Sequence, residues 1–126
     1  MRAFAWFCLA AAAAARVDGA EPQATFLDNC SACHQASGQG IPGVFPALAG
    51  NSFVKGDAAQ VVGVILGGRG GMPSFRNDLS DEQIAAAASY IRGSWGNRAK
   101  PVSAAFIAET RIKTNNPRSQ NPTMHN

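Results

Sequence analysis

The sequence of 126 residues predicts an all-α domain with long loops. In several segments, apolar side chains recur at the 3.6-residue period of an amphipathic helix. No segment shows the alternation of apolar and polar residues that a half-buried strand requires. Glycine and proline, which interrupt regular structure, are concentrated in residues 35–55 and 67–79. We therefore expect the helices to be separated by two extended loops.

Residues 1–20 are predicted to be a secretory signal peptide. Arg2 gives a short positive start, and the uncharged apolar run Ala3–Ala15 is too short to span a bilayer comfortably. Cleavage after Ala15 would follow a run of small residues, and cleavage after Ala20 is the alternative. An uncleaved membrane anchor is the other interpretation of this segment.

The first predicted helix covers Thr25–His34, because its apolar and cysteine side chains fall on one face. It ends in the motif Cys30-Ser31-Ala32-Cys33-His34. Two thiols at this spacing, followed directly by an imidazole, are the attachment signal of c-type haem. The thiols of Cys30 and Cys33 would form thioethers with the haem vinyl groups. His34 would then bind the iron from one side.

The cysteine pair alone is compatible with three other chemistries. A thioredoxin-like redox pair normally follows a strand in a βαβ unit, and the sequence has no such pattern. A zinc site needs four ligands, and the remaining candidates, Cys8 and His125, lie at the far ends of the chain. A structural disulfide would leave His34 without a role. Covalent haem attachment is therefore the prediction, and Cys8 is expected to be removed with the signal peptide.

The first loop, residues 35–55, carries apolar side chains that are expected to cover either the porphyrin or an ordinary core. They are Ile41, Val44, Phe45 and Leu48. A second helix begins at Asp57, which forms a D-x-x-Q capping box with Gln60. It ends at Gly67-Gly68. The predicted buried face of this helix comprises Val61, Val62, Ile65 and Leu66.

The second loop, residues 67–79, is expected to present Met72 as the second axial ligand of the iron. Its glycine-rich run does not indicate a nucleotide site, because no strand precedes it and Met72-Pro73 would break the helix that must follow. The other candidate ligands, Met124 and His125, lie in the polar C-terminal segment. A methionine is more often a packing residue, but a turn between two helices suits a ligand. Ligation by histidine and methionine raises the reduction potential.

Two further helices are predicted. One opens at Ser80, which forms a second capping box with Gln83. A shorter helix covers residues 103–113. Residues 115–126 have almost nothing to bury and are predicted to be a disordered tail. The remaining residues, 21–114, form one small domain.

Most of the chain between Thr25 and Trp95 resembles the class I monohaem cytochromes c of bacteria. The likeness rests on the haem motif, the Met72 loop, Pro46-x-Leu48 and a closing helix with Tyr90. It implies the cytochrome c fold, with three to four helices around one covalently bound haem c. It also implies that Leu48 belongs to the surroundings of the haem.

The same resemblance implies two contacts. In that family, a proline carbonyl accepts a hydrogen bond from the ligand imidazole, and the spacing gives this role to Pro46, with Pro42 as the weaker candidate. The first and last helices cross through an aromatic contact, for which Phe26 and Tyr90 stand at the matching positions. A plain core role is compatible with both aromatic residues.

A narrower likeness points to the cytochrome c subunits or domains that serve periplasmic dehydrogenases. It rests on the segments Val44–Gly50, Gly70–Phe75, Tyr90–Arg92 and Ser94–Asn97. It implies a periplasmic one-electron carrier, with a flavin- or quinone-dependent dehydrogenase as donor and a cytochrome or terminal oxidase as acceptor. A fixed subunit of a dehydrogenase complex is the first alternative. A haem enzyme or ligand sensor with a labile Met72 is the second.

Charge narrows the choice of partners. The formal net charge is +3, and no cluster of lysine and arginine offers a face for phosphates, so no nucleic acid is expected. No membrane span is expected after signal cleavage. Arg69, just before the methionine loop, is either a partner of a haem propionate or a solvated surface residue.

Overall fold

The computed structural model describes residues 19–115, which contain six helices and no extended strand. This confirms the all-α prediction, and the long segments without helix between α2 and α5 are the two predicted loops. The helices are α1 (Pro22–Asn29), α2 (Ser31–His34), α3 (Ser52–Lys55), α4 (Ala58–Gly67), α5 (Asp81–Gly93) and α6 (Ala104–Asn115).

The N-terminal ends of α4 and α5 are capped by the predicted residues. The hydroxyl of Ser80 accepts from the backbone N–H of Gln83 at 3.2 Å, and the Gln83 side chain accepts from the Ser80 N–H at 2.9 Å. Asp57 accepts from the N–H groups of Ala59 and Gln60. These bonds satisfy backbone donors that have no partner inside the helix.

The helices differ from the prediction in several respects, and α1 begins at Pro22 rather than at Thr25. The single helix expected over Thr25–His34 is divided into α1 and α2, because Cys30 leaves helical geometry with a φ of −124°. The first loop contains the one-turn helix α3, whose N–H groups are capped by Asn51. Helix α6 extends to Asn115, one residue into the predicted tail. The predicted signal peptide and the rest of the tail lie outside the described residues.

Helix α1 packs mainly against α5. Phe26 of α1 is fully buried, with its ring centroid 5.2 Å from that of Tyr90 and 5.1 Å from that of Trp95. The expected aromatic contact between Phe26 of the first helix and Tyr90 of α5 is thus present, and Trp95 also takes part in it. A Cβ on Gly38 would lie 2.5 Å from the Trp95 ring, so the first loop packs directly on this aromatic group.

The buried apolar side chains form two clusters. The Met72 cluster has a buried centre of Val61, Val62, Ile65, Leu66, Leu79, Ile84, Ala85, Ala88 and Ile107, with Met72, Phe75 and Phe106 packed against it. The Cys30 cluster has a buried centre of Phe26, Val54 and Ile91, with Cys30, Leu48, Tyr90 and Trp95 packed against it. Helix α6 contributes to the Met72 cluster.

Two buried polar side chains join segments that are distant in sequence. Arg92 donates to the carbonyls of Val54, Gly56 and Lys100. Asn97, which is 1% exposed, donates to the carbonyls of Leu48 and Ile91 and accepts from the N–H of Gly50. Among residues 19–115, no helix has the length and apolar character needed to cross a membrane.

Candidate haem-binding site

His34 is the last residue of α2 and is 8% exposed. Its Nδ1 lies 2.9 Å from the carbonyl oxygen of Pro46. A carbonyl can only accept, so Nδ1 carries the proton, and in the neutral imidazole Nε2 is then the nitrogen with the lone pair. A neutral imidazole held in this tautomer is prepared to bind a metal ion through Nε2. Pro46, rather than Pro42, makes this contact.

Main-chain bonds hold the Pro46 carbonyl in place. Ile41 and Phe45 exchange two backbone hydrogen bonds of 2.8 Å, which close the turn just before Pro46. The N–H of Gly40 donates to the His34 carbonyl at 3.0 Å. The two partners of the imidazole hydrogen bond are therefore linked through a short stretch of ordered backbone.

Cys30 and Cys33 are both partly buried, and they do not form a disulfide. Burial raises the pKa of the Cys30 thiol to about 11, and the neighbouring Cys33 adds to the rise. A catalytic thioredoxin-like pair requires a thiol whose pKa is lowered, so the site disfavours that chemistry. Within residues 19–115, no three His, Cys, Asp or Glu side chains are grouped closely enough to hold a metal ion such as zinc.

Met72 lies in a turn closed by two backbone bonds with Arg69. The Arg69 N–H donates to the Met72 carbonyl at 3.1 Å, and the Met72 N–H donates to the Arg69 carbonyl at 3.0 Å. Gly68, at a φ of +72°, precedes this turn and has no room for a Cβ, which would lie 2.6 Å from the Met72 carbonyl oxygen. Glycine at this position thus allows the close turn that presents the methionine.

Cys30, Cys33, His34 and Met72 line one cleft with an empty volume of about 780 Å³, which includes space open to solvent. The lining is mostly apolar and also comprises Asn29, Val44, Phe45, Pro46, Val64, Arg69, Gly71, Pro73 and Phe75. Two thiols, an imidazole with an available Nε2 and a thioether are a donor set that fits covalent haem.

The other predicted site residues have different positions. Arg69 lines the cleft, and its guanidinium carbon lies 4.8 Å from the centroid of the Phe53 ring. Leu48 is not among the residues that line the cleft. It packs against the Cys30 cluster, and its carbonyl accepts from Asn97. Met124 and His125 lie outside the described residues.

Val64 and Phe75 line the cleft, although the sequence patterns did not predict this role for either residue. Val64 of α4 lies outside the predicted core face and is half-buried. An apolar residue on the supposedly exposed face of a helix was the available signal. Phe75 follows the Met72 turn, and its N–H donates to the Ile65 carbonyl of α4 at 3.0 Å.

The fold and the cleft define a class of protein, namely a small helical chain built to hold a porphyrin through two thiols. Residues 17–91 match the family described as cytochrome c oxidase, cbb3-type, subunit III. The chain therefore belongs to the cytochrome c family, and its cofactor is covalently bound haem c. Proteins similar to it are named as cytochromes c and as cytochrome c subunits of alcohol and gluconate dehydrogenases.

Three relatives illustrate this membership. The chain is 35% identical to the cytochrome c subunit of the quinone alcohol dehydrogenase of Gluconobacter oxydans, over 68% of this chain and 21% of that protein. It is 35% identical to a cytochrome c-552 of Thermus thermophilus, over 86% of this chain and 84% of that protein. It is 36% identical to cytochrome c6 of Leptolyngbya boryana, over 59% of this chain and 89% of that protein. The chain thus spans about a fifth of the dehydrogenase subunit.

Proposed function

We propose that this chain is a periplasmic one-electron carrier with a single haem c. Cys30 and Cys33 form the thioethers, and His34 and Met72 are the axial ligands of the iron. The proposal depends mainly on one observation, the convergence of these four side chains on one apolar cleft. The hydrogen bond between His34 and the Pro46 carbonyl supports the role of His34, because it leaves Nε2 available.

Haem c supplies reversible one-electron transfer when it is bound. The chain provides the rest of the function. Pro46 fixes the tautomer and orientation of His34, and the apolar lining excludes water from the ligands. Arg69, which lines the cleft and has its guanidinium over the Phe53 ring, is proposed to pair with a propionate. Bound to the iron together, His34 and Met72 would leave it no open position for a substrate.

An absorption spectrum of the haem-loaded protein tests the ligand assignment. The oxidised protein should show the weak band near the red end of the spectrum that marks sulfur ligation. Met72→Ala should lose this band, lower the reduction potential and allow carbon monoxide to bind the reduced protein. Met124→Ala and His125→Ala serve as matched controls and should leave all three properties unchanged.

Two results would contradict the assignment. If Met124→Ala or His125→Ala removed the band while Met72→Ala kept it, the tail would supply the ligand. If the unaltered protein lacked the band and bound carbon monoxide readily at neutral pH, a haem enzyme or ligand sensor would replace the carrier.

A permanent subunit of a dehydrogenase complex is the second candidate function. It is favoured by the relatives named as cytochrome c subunits of alcohol and gluconate dehydrogenases. The donor in either case is proposed to be a flavin- or quinone-dependent dehydrogenase, and the acceptor a cytochrome or terminal oxidase. Purification from the native membrane fraction separates the candidates, because a fixed subunit would retain its flavoprotein or quinoprotein through gel filtration.

The proposed location requires export and processing of the chain. We propose that residues 1–20 are removed as a signal peptide, leaving a domain of residues 21–114 and a polar tail of residues 115–126. Intact mass spectrometry of the periplasmic fraction should give the mass of the processed chain plus one haem. Recovery of the full-length chain in the membrane fraction would indicate an uncleaved anchor instead.

A further inference from the structure

The segment that follows Met72 is attached to α4 on one side. The hydroxyl of Ser74 donates to the Leu66 carbonyl, and the N–H of Phe75 donates to the Ile65 carbonyl. These hydrogen bonds fix Ser74 and Phe75 to α4. In the part of the chain that the structure describes, residues 76–80 make no hydrogen bond to α4.

Residues 76–81 are held from the other side by α6. The guanidinium of Arg111 donates to the carbonyls of Arg76 and Leu79 and pairs with Asp81 at 2.8 Å. In return, the guanidinium of Arg76 donates to the Arg111 carbonyl at 3.3 Å and to the Thr114 hydroxyl at 2.6 Å. We call this reciprocal arrangement the arginine clasp.

The clasp has features of a well-defined contact rather than a loose surface ion pair. The side chains of Arg111 and Asp81 are 23% and 29% exposed, so solvent screens them only partly. A planar guanidinium that donates to a carboxylate and two carbonyls is fixed in orientation. By contrast, the Lys113–Glu109 pair on the same helix is more than 60% exposed at both ends.

The clasp acts on one side of the cleft. Met72, Phe75 and Ile107 of α6 share the Met72 cluster, whereas Cys30 packs against the other cluster. Release of α6 would therefore loosen the support of Met72 while leaving the attachment motif and the His34–Pro46 bond in place.

We propose that Arg111, together with Arg76, is a positioning residue that keeps the Met72 sulfur on the haem iron. Helix α6 thereby sets how readily an external ligand replaces the methionine. This inference rests on the proposed ligation by Met72. It adds that the arginine clasp, which lies outside the cleft, supports this ligation. Neither arginine lines the cleft.

Binding of imidazole to the oxidised, haem-loaded full-length protein tests the proposal. Arg111→Met keeps the aliphatic stem but removes every donor that Arg111 brings to the clasp, so we expect imidazole to bind at least about tenfold more tightly. The red-end sulfur band should also weaken. Arg111→Lys, which retains a charge opposite Asp81 but not the fork, should lie between this variant and the unaltered protein.

Glu109→Gln is the matched control, because it removes an exposed ion pair of α6 that does not touch residues 76–81. Its imidazole affinity should stay within about twofold of the parent. If Arg111→Met failed to fold around haem, Arg76→Met would give the same readout, since it removes only the two bonds to Arg111 and Thr114.

Two negative results are distinguishable. A parent protein with the sulfur band, and an Arg111→Met or Arg76→Met variant with unchanged imidazole affinity, would overturn the role of the clasp alone. A parent protein without the band, whose spectrum is unaffected by Met72→Ala, would overturn the ligation on which the clasp depends.

Discussion

Gly40 lies directly beside the Pro46 carbonyl that orients His34. Its φ is +61°, and a Cβ there would lie 2.7 Å from the Pro46 carbonyl oxygen and also meet the Phe45 carbonyl. Gly43 has a similar φ of +76°, but a Cβ there would have no atom within 4 Å. Alanine at position 43 should therefore cause backbone strain alone, whereas alanine at position 40 should cause the same strain and also displace the Pro46 carbonyl. Only Gly40→Ala should disturb His34.

We predict that Gly43→Ala destabilises the haem-loaded protein by about 1–2 kcal/mol, the strain of a left-handed alanine. Gly40→Ala should cost at least about 1 kcal/mol more, because the Pro46 carbonyl must also move. The weakened hydrogen bond makes His34 a poorer donor to the iron, so the reduction potential should rise in this variant alone. Guanidinium unfolding and potentiometry measure both effects, and equal potentials in the two variants would contradict the proposed role of Pro46.

At the scale of elements, Asn97 connects the end of α5 with the first loop. Its amide donates to the carbonyls of Leu48 and Ile91, and its oxygen accepts from the N–H of Gly50. The N–H groups of Leu48 and Ala49 in turn donate to the Gly38 carbonyl. One buried side chain thus closes the base of the loop that carries Pro46.

We predict that Asn97→Ala destabilises the protein by roughly 2–4 kcal/mol, because it removes three hydrogen bonds and leaves buried backbone groups without them. Asn77→Ala, at an exposed turn position, is the control and should change stability by less than about 0.5 kcal/mol. Thermal unfolding followed by circular dichroism compares the two. Equal losses of stability would show that the Asn97 bonds contribute nothing beyond those of a surface amide.

The elements differ in how far local sequence determines them. The caps at Asp57 and Ser80 involve residues two or three positions apart, so the sequence was sufficient to predict them. The division of the first helix at Cys30 was not predicted, because the helical period continues through the motif. The bonds of Asn97 join residues up to 49 positions apart, and no local pattern reveals such a partner.

The site shows the same distinction. The cysteine spacing with His34 is a local chemical signature, and it led to the correct cofactor. The cytochrome c resemblance and the all-α fold were likewise confirmed. The arginine clasp depends on the packing of α6, which follows only from the three-dimensional fold, and no motif in the sequence distinguishes Arg76 or Arg111. Axial ligation by Met72 stays a prediction.

At the scale of the whole molecule, α5 contributes buried side chains to both clusters, whereas α6 contributes Ile107 to the Met72 cluster. The Cys30 cluster joins α1 to α5 through the contact of Phe26 with Tyr90 and Trp95. In α6, two residues, Ile107 and Thr110, are buried. Helix α6 should therefore open with a smaller free energy than α5 does.

Native-state hydrogen exchange of the haem-loaded protein in low guanidinium tests this order. We expect the backbone amides of α6 to exchange through a partial opening, and those of α5 to exchange only through global unfolding. Arg111→Met should lower the opening free energy of α6, and the global free energy that governs α5 should fall by a similar amount, because both openings break the clasp. A single opening free energy shared by both helices would contradict the expected order, in which α6 opens before α5.

The two isolated β-bridges affect which residues around the cleft can be replaced. Ile41 with Phe45, and Arg69 with Met72, are each joined through backbone atoms, and one bridge precedes Pro46 while the other contains Met72. Backbone bonds do not depend on the identity of the side chains that they connect. Apolar residues along the cleft, such as Val64, are therefore open to replacement during evolution or engineering. Such a replacement can change the lining of the cleft while the backbone at Pro46 and Met72 keeps its path.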